Sequence, residues 1–474
     1  MEAIKDQLSL KDITAVFNLQ KANQFAVANQ PISERRRKLK ALKKAVEVTF
    51  RSAIQEALAK DMGKPKAEVD LTEIYPVTSE IKHALSHLNS WTRKQRVATP
   101  IAFMGASSSI QYEPKGVCLI ISPWNFPVNL TIGPLVSAVA AGNTVIIKPS
   151  EMTPHISKVM KELITAVFEE NEVTLVEGAI QTSTDLLSLP FNHIFFTGAP
   201  SIGKIVMSAA AKHLTSVTLE LGGKSPTIVD ETASMKTAAK RIAWGKFVNA
   251  GQVCIAPDYI YVHESKQEEL VAEFKKVIQV FYGESANNTS NYAQIVNASH
   301  KDRVGDMITE AKAEGATVAC GGAIDGNSNF IEPTILTNVS MDSKVMENEI
   351  FGPVLPVISY KNISEVIDTI NSKEKPLALY VYSKKAKNVN YILKNTRAGG
   401  SCVNNNAIHF FNNNLPFGGS NNSGIGKSHG VFGFQEFSNA RGVVKQHIPG
   451  ALEMLMPPYT NFKETLINLT IKWF

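Results

Sequence analysis

A cysteine stands in a loop where glycine and proline could leave its thiol accessible. Cys254 follows residues 249–253 (NAGQV) and precedes Pro257, directly after a helical pattern. An accessible thiol can ionise, and a thiolate is a strong nucleophile. A structural cysteine is the competing interpretation, and spacing alone favours it, because unreactive cysteines such as Cys118 and Cys402 commonly stand in apolar runs.

A carboxylate and an amide each follow an apolar, strand-like run. Glu220 lies near the end of residues 217–221 (VTLEL), and Asn125 lies between Pro123 and Pro127 after another such run. Open α/β sheets place their sites at the carboxyl ends of strands. Glu220 could therefore act as a general base, and Asn125 could donate to a developing oxyanion. An ion pair with a lysine and an Asx-turn are the respective alternatives.

Two glycine-containing segments resemble phosphate-binding loops only in part. Residues 198–205 (GAPSIGKI) follow a strand pattern, but Ile205 replaces the Ser or Thr that binds Mg²⁺ in a P-loop. The segment also lacks the G-x-G-x-x-G fingerprint of dinucleotide-binding folds. A second partial match around residues 426–428 has Asn421 at its first glycine position. The sequence thus argues against an NTPase.

The elements that must position these residues predict an α/β fold with two open sheets. A helical lead-in spans residues 13–91 with a turn at 63–65, and an irregular hairpin or linking arm follows at 98–112. Apolar strands joined by helices predict a Rossmann-like parallel sheet followed by a second α/β domain. The strand patterns are 117–121, 144–147, 173–176, 193–196 and 217–221, then 260, 354 and 379–382; the helical patterns are 135–141, 156–168, 202–212, 235–248, 268–281, 303–313 and 366–370.

The bulk composition indicates a globular protein of several domains in a reducing compartment. The 474 residues carry a net charge of +6 without dense basic runs, so nucleic acid is not an expected partner. The densest basic cluster, residues 35–44, is typical of a solvated helix face. Four scattered cysteines predict neither a disulfide framework nor a metal site. Without a signal-peptide pattern or an apolar run long enough to span a bilayer, we expect a cytoplasmic protein.

Seven segments, in this order, resemble the aldehyde dehydrogenase family. The resemblance covers about residues 39–458 and is nearest to the class 3 branch, which includes fatty and aromatic aldehyde dehydrogenases. The segments are 123–127 (PWNFP), 148–154 (KPSEMTP), 196–198 (FTG), 220–224 (ELGGK), 251–254 (GQVC), 349–353 (EIFGP) and 416–419 (PFGG).

The resemblance implies a catalytic role for three residues. Cys254 would be the nucleophile that forms a thioester, Asn125 the oxyanion donor, and Glu220 the base that activates water for deacylation. It also implies residues that bind the cofactor, namely Ile121, Pro123, Trp124, Lys148, Glu151, Thr197, Gly198, Gly203, Leu221, Gly222, Glu349 and Phe351. Lys148 and Glu151 resemble the pair that binds the adenine ribose, although a surface ion pair is the alternative.

The implied reaction is oxidation of an aldehyde to a carboxylic acid with NAD, and NADP is the alternative cofactor. Glu151 would repel a 2′-phosphate, which favours NAD. An acylating dehydrogenase that transfers the acyl group to coenzyme A or phosphate, and a non-catalytic dinucleotide-binding protein, are the competing functions. Phe126, Trp244, Phe247, Phe410 and Phe411 suggest an apolar substrate pocket.

The same resemblance implies a homodimer and a division into domains. The cofactor domain would comprise residues 1–97 and 113–221, the catalytic domain 222–415, and the oligomerisation arm with the tail 98–112 and 416–474. The tail at 462–474 is too short for membrane insertion. It could pack on its own protein or dimer mate, gate the substrate funnel, or lie on a membrane surface.

Overall fold

Three β-sheets organise the part of the chain that the computed structural model describes, which is residues 8–284, 286–288 and 290–473. They contain six, seven and three strands. Residues 1–7, at which we expect no signal peptide, and residue 474 of the predicted tail lie outside the described residues.

The amino-terminal region is helical, as the sequence predicts. Its helices are α1 (Leu10–Ala28), α2 (Ile32–Lys44), α3 (Arg51–Met62), α4 (Lys66–Val69) and α5 (Tyr75–Thr92), with π-helical turns at Ala45–Thr49 and Asp70–Ile74. Gly63 ends α3 in the left-handed region at φ 60°, where glycine carries no steric penalty.

The basic cluster of α2 is not uniformly solvated, which corrects the sequence-based expectation. Arg35 and Lys38 are buried. Arg35 donates to the carbonyl oxygens of Ala28 and Ala140, and Lys38 pairs with Glu172 at 2.6 Å. Long basic side chains can lie along the protein surface and satisfy backbone carbonyls, so two members of the cluster attach α2 to the first sheet.

The first sheet is the predicted Rossmann-like sheet. Its strands are β3 (Val117–Ile121), β4 (Thr144–Lys148), β5 (Val173–Leu175), β6 (His193–Thr197), β7 (Ser216–Glu220) and β15 (Gly424–Ile425), in the order β15-β7-β6-β3-β4-β5. Only β15 runs antiparallel. The chain reverses its direction of winding between β3 and β6, and such a switch point opens a crevice at the carboxyl ends of the strands.

The first sheet is covered on both faces by helices. These are α6 (Asn129–Ala141), α7 (Pro154–Val167), α8 (Ile180–Leu187) and α9 (Pro200–Ala211), together with the lead-in. Every residue of β3, β4 and β6 is buried, which explains the apolar run at the centre of each strand. α6 is buried nearly all round, since it packs against β3, α2 and α5.

The second sheet forms the second predicted α/β unit. Its strands are β8 (Pro226–Val229), β9 (Tyr259–His263), β10 (Thr317–Cys320), β11 (Thr334–Thr337), β12 (Val354–Tyr360), β13 (Ala378–Tyr382) and β14 (Gly400–Val403). Their order is β10-β11-β12-β9-β8-β13-β14, parallel except for β10. The accompanying helices are α10 (Met235–Phe247), α11 (Gln267–Tyr282), α12 (Ala298–Ala313), α13 (Lys344–Glu347), α14 (Ile363–Ser372) and α15 (Ala386–Asn395).

The third sheet is a separate antiparallel ribbon. It consists of β1 (Gln95–Val97), β2 (Ala106–Pro114) and β16 (Ser438–Gln446), and β2 pairs with β16 over nine residues. Beyond it, α17 (Asn461–Trp473) leaves Phe462, Ile471 and Trp473 largely exposed. Among the described residues, no helix is long and apolar enough to cross a membrane.

The predicted domain limits stay a prediction. One segment of the predicted oligomerisation arm lies instead against the first sheet. β15 pairs with β7 of the first sheet, and α16 (Gly430–Glu436) packs against α5 and α6. The chain thus returns to the first sheet between the second sheet and β16, and this return places residues 424–436 beside Glu220.

The core position of β3 generates a stability prediction. Ile120→Ala should lower the free energy of unfolding by about 2–5 kcal/mol, because the fully buried side chain leaves a cavity. Val280→Ala on the exposed face of α11 should change it by less than about 0.5 kcal/mol. Urea unfolding followed by circular dichroism measures both. Equal midpoints for the two variants would contradict the assignment of β3 to the core.

Candidate active site

Most of the predicted site residues line one cleft between the first and second sheets. The cleft has a volume of about 750 Å³. The first sheet contributes the ends of β3, β6 and β7, and the second sheet contributes the loop before β9 and the segment before β12. The predicted residues in its lining are Pro123, Trp124, Asn125, Thr197, Gly198, Glu220, Leu221, Gly222, Cys254, Glu349 and Phe351.

Four predicted cofactor residues lie outside the lining of this cleft. Ile121 and Lys148 are register partners on β3 and β4, and the Lys148 ammonium pairs with Glu151 at 2.8 Å. Gly203 lies in α9, where an added Cβ would approach Leu221 Cδ2 to 2.7 Å. Gly203 therefore allows α9 to pack closely on the strand end, as a helix glycine does in dinucleotide-binding folds.

The loop that carries Cys254 has a strained backbone held by one glutamine. Asn249, Ala250 and Gly251 all have positive φ, at 53°, 51° and 74°. An added Cβ on Gly251 would lie 2.2 Å from a backbone oxygen, so only glycine fits there. The buried Gln252 donates to Asn249 O and Gln294 O, and its own side-chain oxygen accepts from a backbone N–H. These bonds fix the loop that presents the thiol.

The Asn125 amide is joined directly to the cysteine loop. Its Nδ2 donates to Gln252 O at 3.0 Å, and the side chain is only 3% exposed. An amide nitrogen carries two N–H donors, and the bond to Gln252 uses one of them. The second N–H is free to serve a group in the cleft beside Cys254.

The thiol of Cys254 lies among groups that disfavour its ionisation. Burial raises the pKa of the thiol above its ordinary value, and the nearby carboxylates of Glu349 and Glu220 raise it further. The backbone N–H groups of Cys254 and Ile255 act in the opposite direction. The thiol is therefore neutral near pH 7, and it has to lose its proton when the sulfur reacts.

Glu220 is a buried carboxylate with one held and one unpartnered oxygen. Its Oε1 accepts a hydrogen bond from Ser428 Oγ at 2.8 Å, whereas its buried Oε2 has no hydrogen-bond partner within the described part of the chain. Burial raises the pKa of Glu220 to about 8, the Ser428 hydroxyl and the Lys427 ammonium lower it, and Glu436 raises it. A carboxylate of this kind suits general base catalysis near neutral pH.

Glu349 faces the same cleft from the second sheet. Burial raises its pKa to about 8, and the backbone N–H of Gly223 opposes that shift. A Cβ on Gly222 would lie 2.2 Å from Glu349 Oε2, so the glycine leaves room for this carboxylate. Phe351 stands edge-on to Trp124 with 5.4 Å between ring centroids. A carboxylate beside two aromatic rings can bind a ribose hydroxyl.

Two apolar cavities approach Cys254 from other directions. One of about 540 Å³ is lined by Phe126, Trp244, Phe410 and Phe411. The other, of about 750 Å³, extends between α5, α6 and α16 and also reaches Glu220. Phe247 lines neither cavity. It is fully buried in the hydrophobic core of the second α/β unit, so its predicted pocket role is wrong. Its ring packs edge-on against Tyr282 of α11, with 6.5 Å between the ring centroids.

Sequence reasoning missed several residues of the site. In the sequence, Ser428 stands only at the end of a segment that fails as a phosphate loop. Its bond to Glu220 joins residues 208 positions apart, so no local pattern indicates it. His300 and Arg303 of α12 also line the cleft. No local pattern indicated them, because their role depends on how α12 packs beside the first sheet. The assembled groups can add a thiol to a carbonyl, stabilise an oxyanion and activate water.

Comparison with known proteins identifies relatives along nearly the whole chain. The family model described as "Aldehyde dehydrogenase family" matches residues 6–443. Two curated relatives are similar: 4,4′-diaponeurosporen-aldehyde dehydrogenase of Staphylococcus aureus, 41% identical over 94% of this chain and 95% of the relative, and "Aldehyde dehydrogenase, dimeric NADP-preferring" of Rattus norvegicus, 43% identical over 85% and 88%.

A solved structure agrees with the fold. The substrate-bound state of Staphylococcus aureus AldH superposes with a TM-score of 0.93 at 40% sequence identity, covering 97% of this chain and 99% of that chain. The predicted fold class and the family resemblance are thereby confirmed.

The bond between Ser428 and Glu220 generates a prediction about acidity. Ser428→Ala should raise the pKa of Glu220 by about one unit, because a hydrogen bond to a charged group contributes about 1.5 kcal/mol or more. Ser428→Thr keeps the hydroxyl and should leave that pKa nearly unchanged. Infrared titration of the protonated carboxyl band measures the shift, with Glu220→Gln to assign the band. The same pKa in the Ala and Thr variants would show that the bond does not hold the carboxylate.

Proposed function

This chain belongs to the aldehyde dehydrogenase family, and we propose that Cys254, Asn125 and Glu220 carry out its oxidation of an aldehyde to a carboxylic acid. The protein is an oxidoreductase that uses NAD or NADP, as the family does. One observation carries the assignment of roles. A thiol, an amide and a carboxylate from three distant stretches of chain line a single cleft.

In the first half of the reaction, Cys254 Sγ adds to the aldehyde carbonyl carbon, and the thiol proton passes to solvent water. The carbonyl oxygen becomes an oxyanion, which accepts hydrogen bonds from the free Asn125 N–H and the Cys254 backbone N–H. The bond between Asn125 and Gln252 already orders the Asn125 amide, so the donor moves little when the negative charge develops on the oxygen. Loss of hydride then leaves a thioester on Cys254.

The cleft has groups that fit a dinucleotide. The buried Thr197 Oγ1 has no hydrogen-bond partner, and Glu349, Phe351 and Trp124 offer a carboxylate and two rings. When bound, the dinucleotide supplies the acceptor for the hydride. We propose that Glu349 and Phe351 hold its nicotinamide ribose, and that residues 197–199 and 221–222 line its path toward α9.

In the second half of the reaction, Glu220 accepts a proton from water as the water oxygen attacks the thioester carbon. The unpartnered Oε2 is the oxygen available for that proton, since Oε1 is held by Ser428. The C–S bond breaks, the acid leaves, and the proton taken up by Glu220 passes to the sulfur, which restores both the thiol and the carboxylate. Because only the ionised form of Glu220 is a base, and its pKa is about 8, deacylation should quicken as pH rises toward that value.

The assignment of roles predicts distinct failures for two variants. Cys254→Ala should abolish aldehyde-dependent reduction of the dinucleotide, because no thioester forms. Glu220→Gln should give one burst of reduced cofactor followed by slow turnover, because only deacylation is blocked. Stopped-flow absorbance measures both, with Cys320→Ala on the edge strand β10 as the control thiol variant.

Three outcomes would contradict this mechanism. They are steady turnover in Cys254→Ala, a missing burst in Glu220→Gln, and formation of an acyl-coenzyme A when coenzyme A is added to the wild type. The last result would support the acylating alternative, in which a thiol replaces water and a buried base is not required.

We propose NAD as the preferred cofactor. Support comes from Glu151, which lies at the carboxyl end of β4 and is paired with Lys148. A carboxylate at the adenine ribose repels a 2′-phosphate. Glu151→Gln should therefore raise kcat/KM for NADP relative to NAD by about tenfold, and Glu177→Gln, whose carboxylate pairs with Lys161, is the control. An unchanged cofactor ratio in Glu151→Gln would place the ribose elsewhere.

We propose an apolar aldehyde as the substrate. The two cavities that reach Cys254 are lined mainly by aromatic and aliphatic side chains, including Phe126, Trp244 and Phe410. Burial of apolar substrate surface stabilises a complex by about 25 cal/mol per Å². Long aliphatic or aromatic aldehydes therefore fit the site better than short polar ones.

We further propose a cytoplasmic homodimer. β16 is an edge strand whose outer side is unpaired among the described residues, and its Val444 is exposed. Exposed edges favour pairing with another chain, and one relative is named as dimeric. All four cysteines lie within the described residues as free thiols, which fits a reducing compartment.

A further inference from the structure

Three charged side chains of the helical lead-in lie behind the catalytic cleft. Lys64 and Glu73 form an ion pair at 2.9 Å, and both side chains are fully buried. Glu68, one turn before Glu73, feels both charges. Removing a charge from water costs free energy, even when the charge is paired. The cluster Lys64–Glu68–Glu73, in which Glu68 is half-buried and the other two side chains are fully buried, is called here the buried triad.

Each carboxylate of the buried triad accepts a backbone N–H from a different catalytic loop. Glu68 Oε1 accepts from Asn249 N at 2.9 Å, where the strained segment before Cys254 begins. Glu73 Oε2 accepts from Asn129 N at 2.9 Å, at the end of the loop that carries Asn125. The two loops are thus attached to one rigid element.

A π-helical turn makes this double contact geometrically feasible. In an α-helix, two residues five positions apart point about 140° away from each other. The π-helical turn at Asp70–Ile74 adds a residue to the turn and brings Glu73 round toward Glu68. Such turns are frequent at functional sites.

Lys64 completes the cluster and contacts one residue of the cavity lining, Phe126. Its ammonium lies 4.1 Å from the ring centroid of Phe126, which lines the apolar cavity beside Cys254. Burial raises the pKa of Glu68 to about 7, against the charge of Lys64 and the N–H of Asn249. The carboxyl keeps an acceptor oxygen for Asn249 in both protonation states.

A side-chain bridge closes the network between the loops. Asn249 Nδ2 donates to Asn125 O at 2.9 Å and to Gln252 O at 3.2 Å. Asn125 Nδ2 donates to that same Gln252 oxygen. A shift of Asn249 would therefore move the oxyanion donor and the nucleophile relative to each other.

We propose that the buried triad is a positioning device that holds the Asn125 loop and the Cys254 loop in register for attack on the aldehyde. This inference rests on the proposed roles of Cys254 and Asn125. Glu68 is its most accessible point for a test, because it contacts the cysteine loop and is not part of the fully buried ion pair.

In the Glu220→Gln background, in which a burst is expected, Glu68→Ala should slow the burst of cofactor reduction by about tenfold to a hundredfold, because small misplacements of reacting groups have effects of this size. Asn125→Ala provides the reference loss of about a hundredfold. Glu68→Gln retains an acceptor oxygen and should recover most of the burst rate. The matched control is Asp70→Ala, whose carboxylate lies two residues away and pairs with Arg51.

Hydrogen exchange of the peptide covering residues 249–254 tests the same contact without any activity. Glu68→Ala should speed exchange of the Asn249 amide by about tenfold or more, while Asp70→Ala leaves it unchanged. Two results would overturn the proposal. They are unchanged exchange in Glu68→Ala, and faster exchange together with a burst rate that Glu68→Ala does not lower. A Glu220→Gln parent without a burst would instead refute the proposed function, and exchange would still decide whether Glu68 holds the loop.

Discussion

The hydrogen bond from the Asn125 amide to the Gln252 carbonyl is the contact on which the catalytic arrangement depends. It joins a loop that leaves the first sheet to a loop that enters the second. Neither loop could hold its own geometry alone, because the cysteine loop contains three successive residues with positive φ. Strain of this kind persists only where surrounding contacts over-determine the backbone. Gln252, Asn249 and the buried carboxylates provide those contacts.

Buried carboxylates recur throughout the site with different partners, and the partners decide what each can do. Glu220 and Glu349 have similarly raised pKa values, yet Glu220 is held by a hydroxyl and has a free oxygen, whereas Glu349 receives a backbone N–H beside a glycine. One oxygen of Glu68 accepts a hydrogen bond from a loop amide. Desolvation raises the pKa of all three carboxyl groups, and their different hydrogen bonds support the different roles proposed for them.

The fold was largely predictable, because apolar periodicity reports burial directly. β3, β4 and β6 each carry a central apolar run since helices cover both faces, and α7, α9 and α11 begin and end within a few residues of their predicted limits. Prediction failed where partners are remote. Arg35 and Lys38 belong to a basic helix face but are buried by carbonyls and Glu172, and Phe247 resembles its aromatic neighbours but points into the core.

The sequence by itself determined the family, the chemical groups and the strand ends that carry them, because these are properties of short segments in a fixed order. Cys254, Glu220 and Asn125 could be named without coordinates. Only the tertiary structure decided which groups meet: Ser428 on Glu220, Gln252 on Asn125, and Glu68 on the backbone of Asn249. These contacts join residues 127 to 208 positions apart. A local sequence pattern cannot indicate contacts between residues so far apart in the chain, because the packing of the two sheets and the helical lead-in brings those residues together.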